Sequence, residues 1–135
     1  MSAEKDLNKL LSSISPKLLP KEYVFCSVEG KYGEYANLDP IASFKEDEGL
    51  TLVITKESAT YANLEFKSTF RAITLTVYSS LDAVGLTAAV STKLAEKNIS
   101  ANVVAAYYHD HIFVPVNRAK EAIEALNEFK NKEQK

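Results

Sequence analysis

Residues Ile73 to Val116 constrain the fold most, because their hydrophobic period changes in a fixed order. Ile73, Leu75 and Val77 alternate with Thr74, Thr76 and Tyr78, the two-residue period of a half-buried strand. The loop that follows opens a helix over Ala83 to Lys97, on which Leu86, Val90 and Leu94 fall four apart and share a face. Asn98-Ile99-Ser100 ends that helix. A strand from Ile99 to Tyr107, a turn at Tyr108-His109-Asp110 and a strand from His111 to Val116 come next. Asn117 is placed to cap a final helix with Ala119, Ala122, Ile123, Leu126 and Phe129 on one face. From Thr69 onward the order is therefore β-α-β-β-α, a split βαβ arrangement that lacks its last strand. An unfilled place in such a sheet is a liability, so a strand of the first half is expected to occupy it. Tyr23 to Val28 is the first candidate and Leu50 to Thr55 the second, and neither half then folds alone.

In the first half, Leu7, Leu10, Leu11 and Ile14 follow the i, i+3, i+4, i+7 rule and predict a helix from Ala3 to Ser13. Ser2 can cap it, and Pro16 and Pro20 stop it. Tyr23 to Val28 and Leu50 to Thr55 read as strands, Glu57 to Asn63 as a short helix and Thr69 to Tyr78 as a longer strand. Gly30 and Gly33 mark a turn, and Tyr35 to Glu48 reads as irregular.

Composition excludes several function classes. The 135 residues carry a formal net charge of −2, without the basic footprint of a nucleic-acid binder. No apolar run approaches the ~20 residues that span a bilayer, and Met1 to Asp6 lacks the basic start and apolar stretch of a signal peptide. The single Cys26 cannot form an internal disulfide and reads as a small core residue. A cytoplasmic location is expected, with no nucleic-acid or membrane partner.

The stretches Tyr23 to Cys26, Leu38-Asp39-Pro40-Ile41-Ala42, Glu48 to Leu52, Ile73 to Val90, Ile99 to Tyr107 and His109 to Pro115 resemble the ACT-domain family of small regulatory modules. More closely, nearly the whole chain is similar to a family of small bacterial proteins with a paired ACT-like architecture and no agreed activity. The resemblance implies an α+β fold: a ferredoxin-like βαββαβ sandwich in which two interlocked ACT-like halves, residues 1–67 and 68–135, carry antiparallel sheets covered by helices. It also implies a site. ACT modules hold an amino acid between the loop after the first strand of one module and the start of the second strand of another. Carried over, the loop is Asp82, Ala83, Val84, Gly85, Leu86 and Thr87, and the strand start is Asn98, Ile99, Ser100 and Asn102. The loop lacks the proline that usually precedes its glycine in such modules.

These residue types suit an amino acid. N–H groups at a helix start and a hydroxyl such as that of Thr87 favour a carboxylate. A glycine permits close backbone approach, and Asp82, Asn98 or Asn102 can accept from an ammonium. The plainer reading of the same residues is a packing glycine, with Asp82 and Asn98 as helix caps. His109 and His111, two apart on a strand, face one way and could share a metal, but no third ligand lies near in sequence and Asp110 suits a bend. No P-loop, dinucleotide fingerprint, zinc-knuckle cysteines or nucleophile elbow is present. The expectation is a regulatory protein that binds an amino acid at an interface between modules. It is expected to be a homodimer or homotetramer with no metal, cofactor or catalytic residue. The alternatives are an interaction module without a ligand and a metal-dependent enzyme built on His109 and His111.

Overall fold

A computed structural model describes residues 7–76 and 85–131. The chain divides into two compact units: residues up to Leu19 together with those from Arg71 onward, and Pro20–Phe70.

In the first unit, α1 (Leu7–Ser13) leads into the start of β1 (Pro16–Val28). After β4 (Phe70–Leu75) come α3 (Leu86–Glu96), β5 (Asn102–Ala105), β6 (Asp110–Pro115) and α4 (Ala119–Asn131). The strand order is β1, β4, β6, β5. The expected vacancy is filled from the first half by β1, the strand that carries the first candidate, Tyr23 to Val28, and in this unit its residues Pro16 to Leu19 lie beside β4. Thr76 donates its N–H and its hydroxyl to Ser15 O at 3.1 and 2.7 Å. Four residues along, the Arg71 guanidinium donates to Leu19 O at 3.1 and 2.7 Å. Numbering rises on one strand as it falls on the other, so the two run antiparallel. Pro16 and Pro20 therefore do more than end α1. They sit within an extended segment whose missing N–H groups do not interrupt a strand as they would a helix.

The core of this unit joins Leu10 of α1 and Ile14 just after it to Ile73 and Leu75 of β4, Leu86, Val90 and Leu94 of α3, Ile112 and Val114 of β6, and Ala122 and Leu126 of α4. The helix faces deduced from spacing are thus the buried ones. Lys93 closes one side: it is buried with its ammonium 3.3 Å from Glu128 and 5.2 Å from the Phe129 ring centre. Hydrogen bonds from Lys97 and Lys93 hold the Glu128 carboxyl below its usual range. β5 is shorter than expected, since only Asn102 to Ala105 pair with β6. Asn117 does not cap α4 but lies inside a 3₁₀ turn, Val116–Arg118, that enters the helix.

In the second unit, β1 from Pro20 pairs antiparallel with β3 (Gly49–Thr55), Tyr23 opposite Thr55 and Val28 opposite Leu50. β3 pairs in turn with β2 (Ala42–Glu46). β2 falls within the stretch expected to be irregular: as an edge strand it leaves Phe44 exposed, and Ala-Ser-Phe-Lys-Glu has no run of apolar residues to mark it. Val24, Cys26, Leu52 and Ile54 form the core with Ala59 of α2 (Lys56–Tyr61). Cys26 is buried and its thiol is pushed up by burial, consistent with a packing role. No helix among the described residues is long and apolar enough to cross a membrane.

Candidate functional site

Of the expected loop, Asp82, Ala83 and Val84 lie outside the described residues. Gly85 begins α3 with φ +93°, a backbone conformation that side chains disfavour. A Cβ there would stand 3.1 Å from Leu7 Cδ2. Leu86 is buried in the core and anchors the first turn, whereas Thr87 is exposed beside the helix start. Ala89 donates to Gly85 O at 2.8 Å, the first turn of the helical ladder.

The other expected half forms at the opposite end of α3. Asn98 is left-handed (φ +59°), its N–H bonds Ala95 O at 2.9 Å, and Ile99 N–H reaches back to Leu94 O at 2.9 Å. This pair of bonds is a Schellman cap, with the contact between Ile99 and Leu94 that usually accompanies it. Arg118 reinforces it from the 3₁₀ turn Val116–Arg118, donating to Asn98 O at 3.1 Å and Lys97 O at 3.0 Å. Its ion pair with Glu121 at 3.0 Å holds that carboxyl below its usual range. Ile99 is buried, while Ser100 and Asn102 are exposed where β5 begins. The eleven residues of α3 at ~1.5 Å each separate the two halves by roughly 16 Å. One copy of this unit therefore cannot bring the Thr87 turn and the Asn98 cap onto one small ligand.

The Pro20–Phe70 unit carries a glycine loop that sequence reading took only for a turn. Gly30, Gly33 and Gly49, three of the four glycines in the chain, line a cleft of about 550 Å³ with Lys31, Tyr32 and Lys45. The Glu34 carboxylate folds back over Gly30 to accept from Lys31 N–H at 2.7 Å. A Cβ on Gly30 would collide with that carboxylate. The available signal was a strand running straight into Gly-Lys-Tyr-Gly, the same strand-to-glycine order that singled out Gly85.

The His109-Asp110-His111 segment enters β6. Ala106 N–H bonds His109 O at 3.1 Å and closes the turn, with Tyr107 and Tyr108 exposed on it. His111 Nδ1 lies 3.0 Å from the hydroxyl of buried Thr74 on β4. Burial, and then the charge of His109, lower the His111 pKa, while Asp110 opposes them. Burial raises the Asp110 carboxyl. Among the described residues no group of three His, Cys, Asp or Glu is placed to hold a metal ion.

A family model for the ACT domain matches residues 2–71 and a second ACT-domain model matches residues 67–128. A crystal structure from Vibrio cholerae, a "Protein of Unknown Function" and "Possible Transport Protein", is 56% identical over 92% of this chain and 95% of its own, with a TM-score of 0.86. A protein from Agobacterium tumefaciens is 16% identical over 87% of this chain and 89% of its own, with a TM-score of 0.68. The regulatory subunit of aspartate kinase from Thermus thermophilus is 9% identical over 86% of this chain and 97% of its own, with a TM-score of 0.59. These last two likenesses are of fold. No curated protein matches the sequence. The strand order of the Leu7–Leu19 and Arg71–Asn131 unit, its glycine-led helix and two consecutive model matches agree, and the chain belongs to the ACT-domain family.

Proposed function

We propose that the protein is a regulatory module that binds a free amino acid at the loop Asp82 to Thr87 and the strand start Asn98, Ile99, Ser100 and Asn102, the two halves coming from two copies of the chain. The observation that carries this reading is the placement of exposed Thr87 and exposed Asn98 at opposite ends of α3. Each end offers polar groups on a rigid, buried anchor, Leu86 at one and Ile99 at the other. The start of α3 suits a carboxylate, and Asn102 offers an amide oxygen for an ammonium. Binding between copies couples ligand to assembly, so that occupancy of the site shifts the population of the assembled form.

The test is a thermal-shift screen against the twenty amino acids, followed by sedimentation of the best with and without ligand. At ~100-fold saturation a single ligand adds about 2.7 kcal/mol of stability. A rise in Tm with one amino acid, lost in Thr87→Ala and in Asn102→Ala and tied to dimer formation, supports the reading. Equal binding by a monomer would refute the shared site. A flat screen would favour an interaction module instead, for which the exposed Tyr107 and Tyr108 are the natural contact surface.

A further inference from the structure

We infer that the Pro20–Phe70 unit carries a separate binding cleft at the β3–α2 junction for a small zwitterion with an aromatic body. The cleft measures about 610 Å³, within the range of small-molecule sites. It lies at the Tyr23–Thr55 end of the β1–β3 ladder, while the glycine-lined cleft lies at the Val28–Leu50 end. Five residue steps at ~3.4 Å put roughly 17 Å of strand between them. The α3 site belongs to the other unit.

Two features point to a ligand of both charges. Lys56, Glu57, Thr60 and Tyr61 lie one helical turn apart in pairs, so a single face of α2 presents them to the cleft, while Ala59 is turned into the core. Lys21 and Glu22 of β1 line the cleft as well. Two lysines and two glutamates, all exposed, thus line the cleft, and among the described residues none of the four is in an ion pair. Groups of opposite sign that line one cavity without touching leave room for a molecule that meets both. Tyr61 adds a flat wall: it is 86% exposed, at the end of a helix whose other face is packed. A large aromatic in that position suits stacking against an aromatic ligand. The Ser58 N–H is already held by Thr55 Oγ1 at 3.1 Å, and the recognition is assigned to the side chains that line the cleft.

The protein contains no tryptophan, which makes an indole probe directly visible. Glycyl-L-tryptophan is titrated with the full-length protein while indole fluorescence and anisotropy are followed. In parallel run the N-acetylated probe, which lacks the ammonium, and the C-amidated probe, which lacks the carboxylate. Saturable binding is expected, about tenfold weaker for each capped probe and about fivefold weaker in Tyr61→Ala or Lys56→Gln. Both are exposed positions, and circular dichroism checks that the variants fold. Equal binding of capped and uncapped probes would show indiscriminate aromatic contact and overturn the inference. So would the lack of any saturable signal at millimolar probe. Binding that survives Tyr61→Ala and Lys56→Gln but disappears in Thr87→Ala belongs to the α3 loop and also overturns it. Binding lost only in the first two variants upholds this cleft whatever the outcome at α3.

Discussion

Gly85→Ala is expected to destabilise the protein, and its cost separates two roles of this glycine. The backbone stands at φ +93°, and holding a residue with a Cβ in left-handed geometry costs about 1–2 kcal/mol. The new methyl would meet Leu7 Cδ2 at 3.1 Å. Leu7 is only partly buried, so a shift of a few tenths of an ångström adds at most about 1 kcal/mol. The stiffer unfolded chain returns about 0.4–1 kcal/mol. The net loss is about 1–2 kcal/mol, and for a chain of this size each kcal/mol lowers Tm by roughly 3–5 °C. Gly33→Ala is the control, because Gly33 has no positive φ and no atom within 4 Å of a new Cβ. It should be neutral or stabilising by up to about 1 kcal/mol. Urea unfolding of both variants, and of Gly85→Ala combined with Leu7→Ala, measures the backbone and contact parts apart: the double variant should show a favourable coupling of at least about 0.5 kcal/mol. A Gly85→Ala protein as stable as Gly33→Ala would refute the reasoning. The same arithmetic shows why Thr87→Ala is the cleaner probe of binding, as it alters an exposed hydroxyl and leaves the packing intact.

Two further outcomes are expected. A fragment of residues 71–135 should be unfolded by circular dichroism, because it loses the β1 segment beside β4 and the buried side chains of Leu10 in α1 and of Ile14 just after it. Those two side chains alone represent about 3–6 kcal/mol, comparable to a whole domain's stability, and a dispersed amide NMR spectrum from the fragment would contradict the strand assignment. For pH, the His111 pKa is lowered in the fold by burial and by His109, so the unfolded chain binds the proton more readily. His111 then contributes stability above its unfolded value near 6.5, and this is lost as pH falls below that value and through the lower value it has in the fold. The raised Asp110 pKa acts the opposite way and in a more acidic window, from about 3.8 upward. Tm should fall between pH 7.5 and about 5.5, and His111→Asn should flatten that slope; an unchanged slope would exclude His111 as its source.

Much of this architecture follows from local pattern. The four-residue spacing of Leu86, Val90 and Leu94 predicts the buried face of α3, and the face of Ala122 and Leu126 predicts that of α4. Alternation in Ile73 to Leu75 and Leu50 to Thr55 marks two strands. Asn98 is legible too, since asparagine tolerates left-handed geometry and commonly ends a helix. What the pattern could not carry were segments whose structure depends on a distant partner. Pro16 to Leu19 reads as helix-breaking, and only the proximity of Arg71 and Thr76 makes it a strand. β2 has neither period nor branched residues, and becomes a strand because β3 offers its edge. The Arg118 clamp on the α3 terminus joins residues about twenty apart, and the β3–α2 cleft joins Lys21 to Tyr61. Periodicity records which face of an element meets apolar surroundings, and this is determined within a few residues. Which strand fills a vacancy, and which charges share a cavity, depends on chain closure over tens of residues, so only the tertiary structure decides it.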